Sequence, residues 1–211
     1  MPLLEKLQWR YATKKMDPSR PVAADKVERI IEAARLAPTS SGLQPYEILL
    51  VTNPEIRKRI AEVAWNQQQV VDGSHLLVFA AWDDYTAERI NQMFDYTNEV
   101  RGFRNEGWEA YRQQLLATYP QRGADVNFSH TARQAFLGLG AALIAAAFEE
   151  VDSVPMEGFD PAAVDDILGL RARGLKSVAM LPLGYRADAG DWLVDLPKVR
   201  RPREQFVTEV A

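Results

Sequence analysis

The segment from Thr131 to Val151 constrains the fold more than any other part of this 211-residue chain. It contains the run FLGLGAALIAAAF, so the helix predicted there is apolar on almost every side. A helix that is hydrophobic all round is buried all round, and a chain of this length has little other material to cover it. Two compatible interpretations follow: a central core helix, and a helix shared with a second subunit. The longest apolar run, Ala135 to Phe148, is short for a membrane span, which takes about 20 residues.

Three apolar runs rich in β-branched residues predict buried strands, at residues 46–53, 75–82 and 177–185. Amphipathic spacing and turn residues predict the rest of the secondary structure. Helices are expected at 3–9 (with Leu3, Leu4 and Leu7 on one face), 22–36, 54 to about 69, 84–120 with one break at 101–107, 131–151 and up to Gly169, with a connector at 121–130 and an extended tail ending in an alternating segment, 205–210. The order lacks regular strand–helix alternation, which favours an α+β fold with helices around a small sheet. We expect one domain, 1–211, with 84–120 as a helical excursion.

The chain has no cysteine and only two histidines, His75 and His130. The lack of cysteine excludes a disulfide framework, a thiolate metal site, an iron–sulfur cluster and a cysteine nucleophile. A zinc or iron site would depend on carboxylates, so no metal site is predicted. Each histidine is expected to be structural or exposed rather than catalytic. Because side chains able to catalyse difficult reactions alone are scarce, we expect a bound cofactor to supply the chemistry.

Two basic loops are the clearest local signal. Arg10, Lys14 and Lys15 lie in one, and the KVRRPR segment at 198–203 forms the other. Guanidinium and ammonium groups suit a phosphate monoester, although solvated surface loops are the simpler interpretation of either segment alone. Nucleic-acid binding is disfavoured, since no stacking aromatic alternates with the basic residues and the net charge is −4.

The remaining local signals are weak when taken singly. They are Glu157-Gly158, the small hydroxyl residues before Gly42, and the amide run at 66–69. Each has a structural explanation as good as a functional one, and no dinucleotide fingerprint, P-loop, nucleophile elbow or zinc-protease motif is present.

The order of several segments changes this picture. RYATKKMDPSRPV, EAARLAPTSSGLQPYEILLV, NQQQVVDGSHLLVFAAW, VPMEGFDPAAVDDILGL and LPLGYRADAGDWLVDLPKVRRP together resemble the nitroreductase family over nearly the whole chain. The resemblance implies an α+β fold with a central mixed β-sheet flanked by helices, in an intertwined homodimer whose C-terminal extensions are exchanged. It also implies one FMN in each of two clefts at the subunit interface, reduced by NADH or NADPH.

The resemblance assigns roles residue by residue. Arg10 would hold the flavin phosphate, with Lys198 and Arg200 as a second phosphate-binding pair, and Lys14 would lie at the pyrimidine edge of the flavin. The other cofactor-binding positions it implies are Tyr11, Ala12, Asn66, Gln69, Pro155, Met156, Glu157 and Gly158 from one subunit, and Pro38, Thr39, Ser40, Gly42 and Gln134 from its partner. Lys14 and Glu157 would tune the flavin, and no side chain is required for acid–base catalysis.

Acceptor contacts are expected from Ser41 and from three aromatic residues of a lid at 84–120: Phe103, Trp108 and Tyr111. An ordinary helical core would explain these aromatic residues equally well. The chain departs from close relatives at four positions: Tyr11 and Ala12 replace a histidine and a serine, Gln69 replaces a basic residue, and Gly42 replaces an asparagine. These departures bear on the flavin potential and the choice of acceptor.

The function implied is that of a cytoplasmic FMN-dependent oxidoreductase. Hydride would pass from NAD(P)H through the flavin to nitroaromatics, quinones or similar planar acceptors, with donor and acceptor using one cleft in turn. Alternatives are divergent flavin chemistry (dehalogenation or cleavage of the flavin itself), a flavin-binding protein without turnover, and a scaffold whose basic loops bind other anions. Neither nucleic acid nor a membrane is an expected partner.

Overall fold

A computed structural model describes residues 3–210. Its centre is a four-stranded sheet in the order β1-β2-β4-β3, formed by β1 (Tyr46–Val51), β2 (His75–Trp82), β3 (Asp152–Ser153) and β4 (Leu175–Gly184). All three strand pairings within the described residues are antiparallel, whereas a mixed sheet was expected. The α+β class is confirmed, and the three longer strands follow the three apolar runs closely.

The helices lie on both faces of this sheet. They are α1 (Leu3–Trp9), α2 (Ala24–Arg35), α3 (Pro54–Glu62), α4 (Gln69–Asp72), α5 (Ala87–Arg101), α6 (Glu106–Thr118), α7 (Ala124–Phe148), α8 (Pro161–Leu168) and α9 (Arg203–Phe206). On one face, Leu77, Phe79 and Leu181 pack in a cluster with residues of α2 and α7. On the other face, Leu76 and Val78 pack with residues of α3 and α8. The alternation of side chains along β2 therefore feeds two separate cores.

The predicted helix from Pro54 to about residue 69 is wrong in its length. It ends at Glu62, and Trp65 and Asn66 both adopt left-handed backbone geometry with φ 53°. The Asn66 N–H donates to the carbonyl of Ala61, which closes the turn locally. Asparagine tolerates this geometry better than most residues, and the turn takes the chain into the short helix α4.

The predicted connector at 121–130 is also wrong, because α7 begins at Ala124. Its first turns are polar, which hid them from a search for apolar spacing. Asn127 is nevertheless fully buried, and its side-chain amide donates to Asp84 and to the Tyr119 carbonyl. At 25 residues, α7 is long and apolar enough to cross a membrane by length and composition alone. In the structure it packs against α2 and β2, as a core helix does.

The outer face of α7 is exposed and apolar, with Phe136, Leu137, Ile144 and Phe148 each at least 37% exposed. The tail adds further exposed apolar side chains: Trp192, Val194, Leu196, Val199, Phe206, Val207 and Val210. Part of the expected extended tail is instead the one-turn helix α9, and no strand forms at 205–210.

At the N-terminus, the bounds of α1 are as predicted but its buried face is not. Leu3 and Leu4 are exposed, whereas Lys6 is buried and its ammonium group pairs with Glu150 at 2.7 Å. The ion pair, which sequence spacing does not reveal, joins α1 to the chain just after the end of α7.

Candidate functional site

A cleft of about 460 Å³ lies between the segment after α1 and the C-terminal tail. Its lining includes Arg10, Tyr11 and Ala12 from the first segment, and Lys198 and Arg200 from the second. Pro155, which follows β3, lines it as well. The structure thus brings six of the predicted cofactor-binding residues to one place. Two of the segments that meet there are almost the whole chain apart in sequence.

Three cations in this cleft lack acidic partners. Within residues 3–210, no carboxylate lies within 4 Å of the charged groups of Arg10, Lys198 or Arg200. Burial and the neighbouring Arg200 lower the pKa of Arg10. Burial, Arg10 and Arg200 likewise lower the pKa of Lys198, whose ammonium group donates to the carbonyls of Leu7 and Arg10. Like charges held together in this way are suited to bind a polyanionic group such as a phosphate.

Arg10 has an unfilled donor in addition. Its Nε is buried and has no acceptor among the described residues, whereas its Nη2 donates to the Ser153 carbonyl at 3.5 Å. A buried donor left unpaired costs about 1–3 kcal/mol, so an acceptor brought by a ligand would be favourable here.

Arg186 lines the same cleft but is already neutralised. Its guanidinium group binds Asp152, which is 4% exposed, with an Nη2 to Oδ1 distance of 2.6 Å. It also lies between two aromatic rings, 4.6 Å from the ring centroids of Trp9 and Tyr11. Arg186 is therefore structural, in contrast to Arg10.

The segment Pro155–Gly158 is held beside the sheet. The Met156 N–H and carbonyl both bond to Met180 of β4 at 2.9 Å. The next two N–H groups, of Glu157 and Gly158, have no acceptor within residues 3–210. Gly158 packs under the ring of Trp65 so closely that a Cβ atom would overlap it. The segment thus presents two free backbone donors on a fixed support.

The amide side chains of residues 66–69 differ in their burial and contacts. Asn66 is exposed in its left-handed turn, whereas Gln69 is buried and its Nε2 donates to the Thr13 carbonyl at 3.2 Å. Lys14 is half-buried, and its backbone N–H donates to Asp191 at 2.8 Å. Gln69 therefore supports the 10–14 segment through its backbone.

The predicted residues at 38–42 lie elsewhere. Thr39 lines a separate cleft of about 330 Å³, together with residues of α2 and β1. The Ser40 N–H donates to the side chain of Gln134 at 2.8 Å, and Gly42 has φ 62°. Within one chain, this second group of residues does not line the cleft of Arg10 and Lys198.

The three aromatic residues predicted to contact the acceptor lie in different surroundings. Phe103 is exposed at the turn between α5 and α6. Trp108 stacks on Phe94, with ring centroids 4.5 Å apart, inside the hydrophobic cluster of the excursion. Tyr111 reaches out of that cluster, because its hydroxyl bonds to Ser41 Oγ at 2.6 Å. Of the three, only Tyr111 contacts the 38–42 segment through a polar group.

Residues 7–185 match the nitroreductase family. The chain belongs to the nitroreductase family. It is 29% identical to an oxygen-insensitive NAD(P)H nitroreductase of Salmonella typhimurium, over 95% of this chain and 96% of the relative. It is 28% identical to the major NAD(P)H-flavin oxidoreductase of Aliivibrio fischeri, over 98% of both. A solved structure from Exiguobacterium sibiricum in complex with FMN is 20% identical, with a TM-score of 0.82, over 100% of this chain and 98% of that one.

Sequence reasoning missed three residues that support the candidate site. Trp65, next to Asn66, is 76% exposed and covers Gly158. Asp152 and Asp191 are buried carboxylates that bind the segments around the cleft. A large aromatic residue beside a predicted site amide was a usable signal for Trp65. The carboxylates gave none, because their partners are distant in sequence.

Proposed function

We propose that this protein is an FMN-dependent oxidoreductase that takes hydride from NADH or NADPH and passes it to nitroaromatics, quinones or similar planar acceptors. The observation that carries the proposal is the set of three unpaired cations, Arg10, Lys198 and Arg200, in one cleft of a nitroreductase-family chain. Relatives named as NAD(P)H nitroreductase and NAD(P)H-flavin oxidoreductase, and the FMN-bound structure of similar fold, support the cofactor and the donor.

The residues present fit the phosphate end of FMN. A phosphate monoester would satisfy the buried Arg10 Nε and would relieve the mutual repulsion of the three cations. The volume of about 460 Å³ lies in the range of ligand pockets, roughly 300–1,000 Å³. The other cofactor-binding assignments, Tyr11, Ala12, Lys14, Asn66, Gln69 and Pro155–Gly158 on this chain, stay proposals.

When bound, FMN would supply the redox chemistry, a two-electron transfer between NAD(P)H and the acceptor. The chain contributes binding and electrostatics. Arg10, Lys198 and Arg200 would hold the phosphate, and Lys14 would place positive charge where negative charge develops at the pyrimidine edge. The free N–H groups of Glu157 and Gly158 would donate to the ring system.

We also propose that the enzyme is a homodimer. The outer face of α7 and the tail expose large apolar side chains, and contiguous exposed apolar surface marks sites of protein–protein contact. A second copy would cover them and would bring Pro38, Thr39, Ser40, Gly42 and Gln134 to the flavin of the first. This arrangement explains why those residues do not line their own chain's phosphate cleft. We propose a cytoplasmic location, where the donors NADH and NADPH are available.

Steady-state kinetics of the FMN-reconstituted protein test the proposal. The rate is measured with NADH or NADPH varied at several fixed concentrations of a quinone. Parallel double-reciprocal lines are expected, because the oxidised donor leaves the cleft before the acceptor binds. A protein that binds FMN but does not oxidise NAD(P)H with any acceptor would be a flavin-binding protein without turnover. A protein that takes up no FMN would contradict the proposal altogether.

A further inference from the structure

Asp191 joins the two segments that form the phosphate cleft. It lies in the tail after β4 and is 7% exposed. Its Oδ2 accepts from the Tyr11 hydroxyl and from the Lys14 N–H, both at 2.8 Å, and its Oδ1 accepts from the Leu193 N–H at 2.9 Å. Both oxygens of one buried carboxylate are therefore occupied, by donors from residues 11–14 and from the tail itself.

This link opposes an electrostatic repulsion between the two segments. The tail carries Lys198 and Arg200 back towards Arg10, and the three cations repel one another. No acidic side chain pairs with them within residues 3–210, and the tail is held there by the hydrogen bonds from Lys198 to the carbonyls of Leu7 and Arg10 and by contacts earlier in the tail. Asp191, seven residues before Lys198, is one of these earlier contacts, and it binds the 10–14 segment through two hydrogen bonds.

The contact with Tyr11 is strongly formed. Burial and the hydrogen bond to Asp191 raise the pKa of the Tyr11 hydroxyl to about 12. Burial opposes ionisation of Asp191, but the Leu193 and Lys14 N–H groups and the Tyr11 hydroxyl outweigh it, and the pKa stays below its usual value. Across the neutral range a protonated phenol thus donates to an ionised carboxylate, which is a strong type of hydrogen bond.

We propose that Tyr11 and Asp191 form a clasp that positions Lys198 and Arg200 against Arg10 for binding the phosphate of FMN. Asp191 is a positioning residue, since it acts through the tail. The inference rests on the proposed function and deepens it, because it assigns the geometry of the phosphate site to a contact between distant segments.

Binding of FMN compared with riboflavin tests the clasp. Tyr11→Phe keeps the ring beside Arg186 and removes only the hydroxyl group. Asp191→Asn leaves one oxygen for three donors, so either Leu193 or the Tyr11–Lys14 pair loses its acceptor. Each variant is expected to weaken FMN binding about tenfold, as loss of a hydrogen bond to a charged group would. In Tyr11→Phe, riboflavin, which lacks the phosphate, should bind within about twofold of its wild-type affinity, and the double variant should bind FMN no worse than Asp191→Asn does.

Two matched controls are available in Tyr96→Phe and Asp188→Asn, both at exposed positions outside the cleft, and neither should change the binding of FMN or riboflavin. Equal weakening of FMN and riboflavin binding, or no weakening of FMN binding by Tyr11→Phe, would overturn the clasp. Thermal stabilisation by inorganic phosphate gives a reading independent of the flavin: it should be smaller in both clasp variants than in the wild type, and equal stabilisation would also overturn the inference. Failure of the wild type to bind FMN would instead overturn the proposed function.

Discussion

Arg10 and Arg186 line one cleft, but replacing each by methionine is expected to have different effects on the stability of the apoprotein. Arg10 has no carboxylate partner and a buried, unpaired Nε. Arg186 is bonded to the buried Asp152 and lies between two aromatic rings. Replacing each by methionine keeps most of the apolar stem and removes the charge. The comparison separates a charge held ready for a ligand from a charge that holds the fold.

The magnitudes follow from these contacts. Arg10→Met removes charge-assisted hydrogen bonds to the phosphate, worth about 1.5–3 kcal/mol, so FMN should bind roughly 10- to 150-fold more weakly. The apoprotein should be unchanged or more stable by up to about 1 kcal/mol, since repulsion and an unpaired donor disappear. In Arg186→Met, Asp152 stays buried and keeps only two donors, the backbone N–H of residue 186 and the Thr13 hydroxyl. Removing one partner of a buried ion pair costs about 3–5 kcal/mol, and the two remaining donors favour the lower end.

The assay is thermal unfolding of the apoproteins together with FMN titration by fluorescence quenching. At about 3 kcal/mol, Arg186→Met should lower Tm by roughly 6–12 °C for a chain of this length. Arg10→Met should leave Tm of the apoprotein equal or higher. All samples must be at one protein concentration, because assembly makes Tm concentration-dependent. A destabilised Arg10→Met apoprotein that binds FMN as tightly as the wild type would show that Arg10 holds the fold and not the phosphate.

Three further predictions concern the edges of the site. Gly158→Ala should weaken FMN binding about tenfold and shift the fluorescence of Trp65, because the added methyl group overlaps the indole ring and the 155–158 segment must move. Unchanged FMN affinity together with unchanged fluorescence would contradict this packing. Tyr111→Phe and Ser41→Ala should each raise the acceptor KM with little change in FMN affinity, and a double-mutant cycle should give a coupling of about 1 kcal/mol, because the two hydroxyl groups bond to each other at 2.6 Å. Additive effects would show that the two residues act separately. Burial, together with nearby arginines, lowers the pKa of His130 below 6.5. The contribution of neutral His130 to stability is therefore complete above about pH 6.5 and is lost as the pH falls through the lowered pKa. His130→Gln should make the urea midpoint depend less on pH between pH 7 and pH 5, and an unchanged slope would contradict this.

Local patterns sufficed for the parts of the fold that apolar runs define. Strand β2 was predicted to the residue, and the break in the helical excursion falls between α5 and α6 as expected. The errors lie where polar residues decide the structure. The left-handed pair Trp65-Asn66 ended α3 early, and a buried Asn127 belongs to a helix whose first turns look like a loop.

The candidate site was predictable only as separate segments. The resemblance indicated which basic residues belong together, and the structure brings Arg10, Lys198 and Arg200 to one cleft. The contacts that hold those segments could not be foreseen, since Tyr11 and Asp191 are 180 residues apart along the chain. Nothing in the sequence around Asp191 distinguishes it from its neighbours Asp188 and Asp195.

The most direct test of the central claim is an anaerobic titration of the FMN-loaded protein with NADH and with NADPH, followed by absorbance. We expect one equivalent of at least one of them to bleach the flavin band fully, and one equivalent of a quinone or nitroaromatic to restore it. A flavin band that persists in excess NADH and NADPH would contradict the account, because the chain would then bind the cofactor without accepting hydride from either donor.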